Sequence, residues 1–202
     1  MSSAAERELR DAAVERLREF YPGARIVHEL NMWGTGSPRA DVVAVCSDKL
    51  AIVEIKSERD TLDRLARQLD AFMPVGHIMI VAAHEKFFEG GKGLDSPIEV
   101  VTRGRGISLT CWRYPRGSSD WRLPFGESWP WHARMLELLW AEELRDECNR
   151  AHLNVSRRAT RTDCIGFLLN HLTGRQVERA VCRQLRQREF AEADIAIIER
   201  VP

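Results

Sequence analysis

The sequence carries no net charge that would draw the whole molecule to nucleic acid or to a membrane surface. Its 30 Lys and Arg residues balance 30 Asp and Glu residues over 202 positions. Any basic binding surface must therefore be local. The sequence also has no internal repeat, no low-complexity tract and no apolar run of membrane-spanning length. We therefore expect a globular protein that makes no membrane contact.

Cysteine is too sparse and too irregularly placed for a disulfide framework or a zinc site. The five cysteines are scattered along the chain, and no two of them form a C-x-x-C pair. Since a signal-peptide pattern is also missing, we expect a reducing, cytoplasmic environment. The run Gly-Gly-Lys-Gly at 90–93 lacks the Gly-Lys-Ser/Thr spacing of a phosphate-binding loop, so nucleotide binding of that kind is not indicated.

The chain is long enough for one substantial core and a small appendage. A stretch rich in Pro, Gly, Ser and Trp lies at 117–130, and the pattern of the chain changes across it. Residues 1–116 mix helix and strand signals, whereas residues 131–202 show helical periodicity alone. We therefore predict an α/β domain at 1–116, a linker at 117–130 and an all-helical subdomain at 131–202.

Apolar spacing predicts a core that runs helix, three strands, helix, strand. The predicted elements are, in order, helix 4–20, strands 25–30, 42–46 and 50–53, helix 62–72 and strand 77–83. The helix between the last two strands predicts a right-handed crossover and hence a parallel pair. Two further short strands, 98–101 and 107–112, are predicted to form a terminal hairpin.

Helices predicted for the C-terminal region are 131–148, 161–172 and a third that begins after Thr173. Thr173 and Gln176 have the spacing of a capping box. Between 151 and 190, eight arginines face only three acidic residues, in a chain that is neutral overall. Such an excess is typical of a phosphate-binding module, and an arginine-rich solvated surface is the alternative.

Polar residues in an apolar hairpin single out the stretch from Arg39 to Ser57. Asp41 opens the first of its two strands, and Glu54 and Lys56 close the second. Glu54 and Lys56 share a face because they lie two residues apart on a strand. A two-residue turn at Asp48-Lys49 pairs Asp41 with Lys56 and puts all three groups on one face, whereas a one-residue slip puts Asp41 on the other.

Two carboxylates and an ammonium at one end of a sheet suggest a divalent cation site. Carboxylates packed side by side repel each other and raise each other's pKa, and a bound cation removes that cost. Oxygen ligands with room for water suit Mg²⁺, which can activate a water against a phosphodiester. The alternative is a surface ion pair between Glu54 and Lys56, with Asp41 as a turn residue.

These residues resemble a known signature. Asp41, Glu54, Ile55 and Lys56 resemble the D…(D/E)-x-K signature of the PD-(D/E)XK nuclease superfamily, although Ala40 stands where the family usually has Pro. Gln68 and Phe72 resemble its Q-x-x-x-Y element. The opening Glu6-Arg7-Glu8-Leu9 is similar to the first-helix glutamate motif of archaeal-type Holliday-junction resolvases in that superfamily. The likeness covers about residues 6–113.

The resemblance implies a role for each residue. Asp41, Glu54 and the backbone carbonyl of Ile55 are expected to bind Mg²⁺, with Mn²⁺ as a substitute. Lys56 is expected to position or activate the attacking water, and Gln68 to tune the site. An outer carboxylate is expected from Glu6 or from Glu29, and the residues alone leave that choice open. Glu6 has a second interpretation, as a first-turn glutamate that complements the helix dipole.

Arginines near these residues are candidates for phosphate contacts. In the resembling family the helix after the Lys flanks the DNA backbone, which points to Arg59, Arg64 and Arg67. Arg39 lies beside the expected metal-binding end. For each of them a solvated surface is the alternative. The predicted nucleic-acid-binding residues are Arg39, Arg64, Arg67, Arg157, Arg158 and Arg161.

The resemblance predicts an α/β protein with a restriction-endonuclease-like αβββαβ core, a mixed central sheet and a C-terminal all-helical subdomain. The expected function is a metal-dependent endonuclease that hydrolyses DNA phosphodiesters in repair, restriction or a phage process. RNA stays open as a substrate, because the site contacts phosphates and not sugars. A homodimer is a further option, because many members cut both strands as dimers. The alternative function is a nucleic-acid-binding or regulatory protein that keeps the fold without cleavage.

Overall fold

The computed structural model describes residues 4–32, 38–90, 95–115 and 121–198. Within them the protein is a mixed α/β structure with one five-stranded sheet and seven α-helices. The strands are β1 (Arg25–Asn31), β2 (Arg39–Val45), β3 (Leu50–Lys56), β4 (Ile78–His84) and β5 (Leu109–Tyr114). The helices are α1 (Ala4–Phe20), α2 (Leu65–Phe72), α3 (Pro97–Thr102), α4 (His132–Leu136), α5 (Ala141–Arg150), α6 (Arg161–His171) and α7 (Gly174–Gln187).

The sheet is open and mixed, with its strands in chain order from β1 to β5. The first three strands are antiparallel neighbours, whereas β4 lies parallel to β3 and β5 lies parallel to β4. The predicted order of helix, three strands, helix and strand is confirmed, as is the parallel crossover from β3 to β4. The predicted bounds of α1 are also confirmed.

The predicted terminal hairpin is wrong, because residues 97–102 form α3 instead of a strand. The amide and hydroxyl of Ser96 both donate to Glu99 Oε2, at 2.8 and 2.7 Å, and Pro97 occupies the first helical position. A capping box followed by Pro favours a helix over the apolar run that suggested a strand. With no antiparallel partner supplied by that run, β5 pairs in parallel with β4.

The predicted helix 131–148 is divided into α4 and α5. The backbone amide of Trp140 donates to Glu143 Oε2 at 2.7 Å, which caps a new helix start one residue later. Continuous apolar spacing concealed this break. The capping box at Thr173 is confirmed: its backbone amide donates to Gln176 Oε1 at 2.8 Å at the start of α7.

Each face of the sheet is covered by a different buried cluster. On one face α1 packs against β2, β3 and β4, next to Trp112 of β5 and Trp121, whose rings stack at 4.7 Å. On the other face the sheet shares a single cluster with α2 and with buried residues of α4 to α7. The C-terminal helices therefore help to bury the sheet, and the proposed division at 117–130 stays a prediction.

Arg25 joins the first strand to the last helix. Its side chain is 3% exposed, and Nη1 donates to the carbonyls of Leu185, Arg186 and Arg188, at 3.1, 2.9 and 2.6 Å, at the C-terminal end of α7. Its Nε donates to the carbonyl of Asp194 at 2.9 Å. A cation is favourable at a helix C-terminus, where main-chain carbonyls lack partners within the helix.

Replacement of Arg25 by Met should lower the free energy of unfolding by about 2–4 kcal/mol, because several buried carbonyls lose a charged donor. Urea titration followed by circular dichroism measures this change. Arg18→Ala is the matched control. Arg18 is 52% exposed and pairs with Asp194 at 2.7 Å, so its loss should cost less than about 1 kcal/mol. Equal losses in the two variants would contradict the role given to Arg25.

Candidate functional site

The β2–β3 hairpin sets the geometry of the site, and its turn is one residue earlier than predicted. The amide of Cys46 donates to the carbonyl of Lys49 at 3.0 Å, so Ser47 and Asp48 form the loop. Val42 then pairs with Val53 and Val45 with Leu50. The predicted pairing of Asp41 with Lys56 is wrong by two residues, and extension of the observed register puts Asp41 opposite Glu54.

The shared face survives this error because moving the loop by one residue changes the pairing by two. Residues at an even separation keep their side of the sheet. Asp41 lies on the same side of β2 as Val43 and Val45. Glu54 and Lys56 lie on the same side of β3 as Leu50 and Ile52. These four apolar residues belong to one buried cluster. The structure therefore places all three polar groups on the face that α2 covers.

Glu54, Lys56 and Gln68 form one hydrogen-bonded network at this end of the sheet. Lys56 Nζ donates to Glu54 Oε1 at 2.8 Å and to Gln68 Oε1 at 2.9 Å. Gln68 Nε2 also donates to Glu54 Oε1. Leu65 and Leu69 are fully buried and fix α2 on the sheet, which holds Gln68 over the two strand residues. The predicted proximity of these three side chains is therefore observed.

Burial dominates the electrostatics of Glu54. The residue is 1% exposed, and desolvation raises its pKa from 4.5 to about 8, with a further contribution from the negative charge of Asp41. The opposing effects of Lys56 and Gln68 are smaller. Its Oε2 atom is buried and has no hydrogen-bond partner among the described residues. An unpaired, buried carboxylate oxygen is costly unless a cation or a proton is present.

Asp41 is held from two directions. Its Oδ2 accepts a hydrogen bond from the amide of Ile55 at 2.7 Å, and Arg10 Nη1 donates to its backbone carbonyl at 2.9 Å. Burial raises the pKa of Asp41, while the Ile55 amide and the positive charge of Arg10 act against that rise. The hydrogen bond from Ile55 fixes the Asp41 carboxylate on β2, next to Glu54 on the neighbouring strand β3.

Arg10 is a site residue that the sequence interpretation missed. Its Nη2 lies 3.3 Å from Glu6 Oε1, 3.2 Å from Glu29 Oε1 and 3.6 Å from Asp41 Oδ1, and its side chain is 9% exposed. It therefore neutralises part of a cluster of three carboxylates. The signal was available: Arg10 lies one turn after Glu6 and next to the buried Leu9 on an amphipathic helix.

Glu6 and Glu29, the two candidates for the outer carboxylate, both contact Arg10. Of the two, Glu29 is the one in the lining of the pocket beside Asp41. The backbone of Glu29 has a φ of 53°, a left-handed conformation that is uncommon for a residue other than Gly. The choice between Glu6 and Glu29 as the outer carboxylate stays open. Glu29 is favoured because it lines the same pocket as Asp41.

A pocket of about 350 Å³ opens over this cluster, and we call it the site pocket. Its polar lining comprises Glu29, Arg39, Asp41, Arg64, Arg67 and Gln68. Three of the predicted phosphate-binding arginines are thus brought together next to the carboxylates. Arg39 is 62% exposed and lies 3.4 Å from Glu29 Oε2.

The other three predicted arginines lie away from the site pocket. Arg157 and Arg158 are exposed in the turn that precedes α6. Arg161 Nε donates to the carbonyl of Leu139 at 3.1 Å, and its guanidinium also binds the carbonyl of Glu137. Arg161 therefore holds the α4–α5 turn, which its sequence position could not reveal.

The carboxylates at this site could bind Mg²⁺ only if the protein supplied few of its ligands and water supplied the rest. In the described ranges, no group of three or more His, Cys, Asp or Glu side chains is arranged to hold a metal ion. The unpaired Oε2 of Glu54 and the neighbouring Asp41 offer two carboxylates. Mg²⁺ keeps several waters and is often held by one or two carboxylates, so a site of this size matches its preferences.

The raised pKa of Glu54 makes stability depend on pH. Between about pH 4.5 and about pH 8 the folded protein binds this proton more tightly than the unfolded chain does, so the free energy of unfolding falls as the pH rises. Glu54→Gln removes this titration. Relative to this variant, wild type without added metal should lose on the order of a few kcal/mol between about pH 5 and about pH 8.5.

Urea titrations at the two pH values measure this difference, with EDTA present throughout. Glu58→Gln is the control, because Glu58 is exposed four residues further along the chain and its replacement should change stability by less than about 0.5 kcal/mol at either pH. Parallel pH profiles for wild type and Glu54→Gln would show that Glu54 does not hold a proton in the folded state.

None of the helices in the described part of the chain is long and apolar enough to cross a membrane. In a comparison with known protein families, the model of a family described as Bacteriophage P4 protein cII matches residues 1–200. No curated protein matches the chain significantly, and neither does any solved structure. Since the family match extends over nearly the whole sequence, the chain belongs to the bacteriophage P4 cII protein family.

Proposed function

We propose that this phage protein acts on nucleic acid through the site pocket, and that the pocket is the centre of a metal-dependent endonuclease with a restriction-endonuclease-like core. The observation that carries the proposal is the buried Glu54 carboxylate, whose Oε2 has no partner among the described residues and which lies beside Asp41 and Lys56. Retaining such a group has a cost in folding free energy, and a function that needs a cation accounts for it.

Asp41, Glu54 and the carbonyl of Ile55 are the residues that would hold Mg²⁺ or Mn²⁺. When bound, such an ion polarises a phosphoryl oxygen and makes a water nucleophilic near neutral pH. The bond from the Ile55 amide to Asp41 orients that carboxylate before any ligand arrives. Little reorganisation would then be needed on binding.

Lys56 and Gln68 would act on the substrate side of the carboxylates. Lys56 Nζ is fixed by Glu54 and Gln68, so its charge lies at a defined point beside the site pocket. From there it can donate a hydrogen bond to the attacking water or to negative charge that develops on the phosphodiester. Gln68 lines the pocket and limits the positions that the ammonium can adopt.

The three arginines of the site pocket would bind the substrate backbone. Arg39 extends from β2, and Arg64 and Arg67 come from the start of α2, so phosphates could be contacted from both sides of Asp41. Contacts of this kind fix the strand without reading its sequence. They suit DNA and leave RNA open as a substrate.

A second candidate is a regulatory phage protein that binds nucleic acid and does not cleave it. The family match favours this candidate over the nuclease, because the family's description names a phage protein and no enzymatic activity. One structural observation also supports it. Arg10 already supplies a fixed positive charge to Glu6, Glu29 and Asp41, so part of the negative charge of the cluster is balanced by the protein itself.

Cleavage assays separate the two candidates. With Mg²⁺ or Mn²⁺, wild type should cut plasmid or branched DNA, and Lys56→Ala should lower the rate by about a hundredfold or more, because a fixed donor to developing charge is lost. Asp41→Asn should have a similar effect through loss of a carboxylate ligand. Gel electrophoresis of the products follows the reaction, and a structured RNA tests the alternative substrate.

Lys49→Ala is the matched control. Lys49 lies at the opposite end of β3 and pairs with Glu127, so its replacement should leave the rate unchanged within about twofold. Binding of DNA without cutting by any variant would replace the nuclease by the regulatory candidate. If wild type neither binds nor cuts nucleic acid, both candidates fail.

A further inference from the structure

A second cavity adjoins the site pocket and has a different chemical character. It has a volume of about 520 Å³ and lies between the end of β1, the α4–α5 turn and the chain that follows α7. We call it the aromatic pocket, and the lining residues used below are Glu29, Asn31, Trp140, Arg161, Arg188 and Phe190. Its volume falls in the range of ~300–1,000 Å³ that is typical of small-ligand sites.

Trp140 and Phe190 give this pocket flat apolar surfaces that are fixed in place. The guanidinium carbon of Arg188 lies 4.5 Å from the Trp140 ring centroid and 5.4 Å from that of Phe190. Arg188 is 8% exposed and is held by Glu143 at 2.7 Å and by the carbonyl of Leu138 at 2.8 Å. Trp140 nevertheless keeps 60% of its surface exposed, so much of the ring is open to a ligand.

Aromatic rings together with a guanidinium plane are the surfaces on which proteins stack nucleobases. The exposed Asn31 adds an amide at the pocket wall, with both a donor and an acceptor for the edge of a base. Arg161 adds a positive charge beside them. The lining therefore matches an unstacked base more closely than a purely apolar ligand.

Glu29 lines both cavities, so the aromatic pocket and the site pocket are adjacent at this residue. Its carboxylate would repel a phosphate, but Arg10 lies 3.2 Å and Arg39 3.4 Å from its oxygens. A strand whose phosphates contact Arg39, Arg64 and Arg67 can therefore pass Glu29 without meeting an unbalanced charge.

We infer that the aromatic pocket receives an unpaired base of the nucleic acid bound at the site pocket. This inference rests on the nucleic-acid binding proposed above and adds a substrate class to it: a strand with unpaired nucleotides beside the bound phosphates, as in a single-stranded tail, a flap or a junction. A paired base inside a duplex cannot enter the pocket without leaving its stack.

Fluorescence anisotropy with two labelled DNA probes tests the inference by binding alone. One probe is a short blunt duplex, and the other is the same duplex with a three-nucleotide single-stranded tail. Wild type should bind the tailed probe about tenfold more tightly at the same salt concentration, because one stacked base contributes on that scale. Trp140→Ala should lose most of this preference, and Trp140→Phe should keep most of it.

Trp131→Ala is the matched control, since Trp131 is 66% exposed and is not part of the lining of the aromatic pocket. It should preserve the tail preference. A tail of the same length without bases, tested on unaltered wild type, gives the same information even if a Trp140 variant fails to fold. This abasic probe should lose most of the tail preference and keep only the contribution of its additional phosphates.

An equal affinity of wild type for blunt, tailed and abasic probes would overturn the inference. So would a Trp140→Ala variant that weakens binding of the blunt and the tailed probe alike. Competition by deoxyadenosine monophosphate without any tail preference would assign the pocket to a free nucleotide instead. Cleavage without tail preference would support the proposed nuclease and contradict base binding in the aromatic pocket. Tail preference without cleavage would support base binding and contradict the nuclease.

Discussion

The desolvated carboxylate of Glu54 is the constraint on which the site depends. Burial at the end of β3 raises its pKa to about 8, and the hydrogen bonds from Lys56 and Gln68 do not offset that cost. The sheet, α2 and Asp41 all contribute to this environment. A charge kept out of water at one strand end explains why a lysine and a glutamine gather there. The neighbouring carboxylate of Asp41 adds to the cost instead of relieving it.

Two arginine arrangements link this cluster to the rest of the molecule. Arg10 extends from α1 on one side of the sheet to the carboxylates at its end, whereas Arg25 fixes β1 to the last turn of α7. The first sets the charge balance of the site, and the second holds the C-terminal helices against the strand that leads to Glu29. Those helices bring the α4–α5 turn and its tryptophan next to the site pocket.

Membership in the bacteriophage P4 cII protein family and the chemistry of the site bear on different questions. The family is described by the name of a bacteriophage protein, and that description states no activity. The carboxylates, the lysine and the arginines around Asp41 are the basis of both proposed functions, which use the same surface. The aromatic pocket suits either of them, because an unpaired base can be bound with or without cleavage.

Local sequence patterns determined α1, the order of helices and strands along the chain through β4, the parallel crossover and the capping box at Thr173. Alternation along the hairpin placed Asp41, Glu54 and Lys56 on one face even though the turn was predicted one residue late, because such a shift preserves parity. Local signals also existed for the helix at 97–102, in its capping box and Pro97, and for Arg10, one turn after Glu6, but the sequence interpretation did not use them. Tertiary structure alone decided the position of Arg161 and the pocket around Trp140. Both depend on contacts between residues far apart in the chain, and those contacts leave no periodic signal in the sequence.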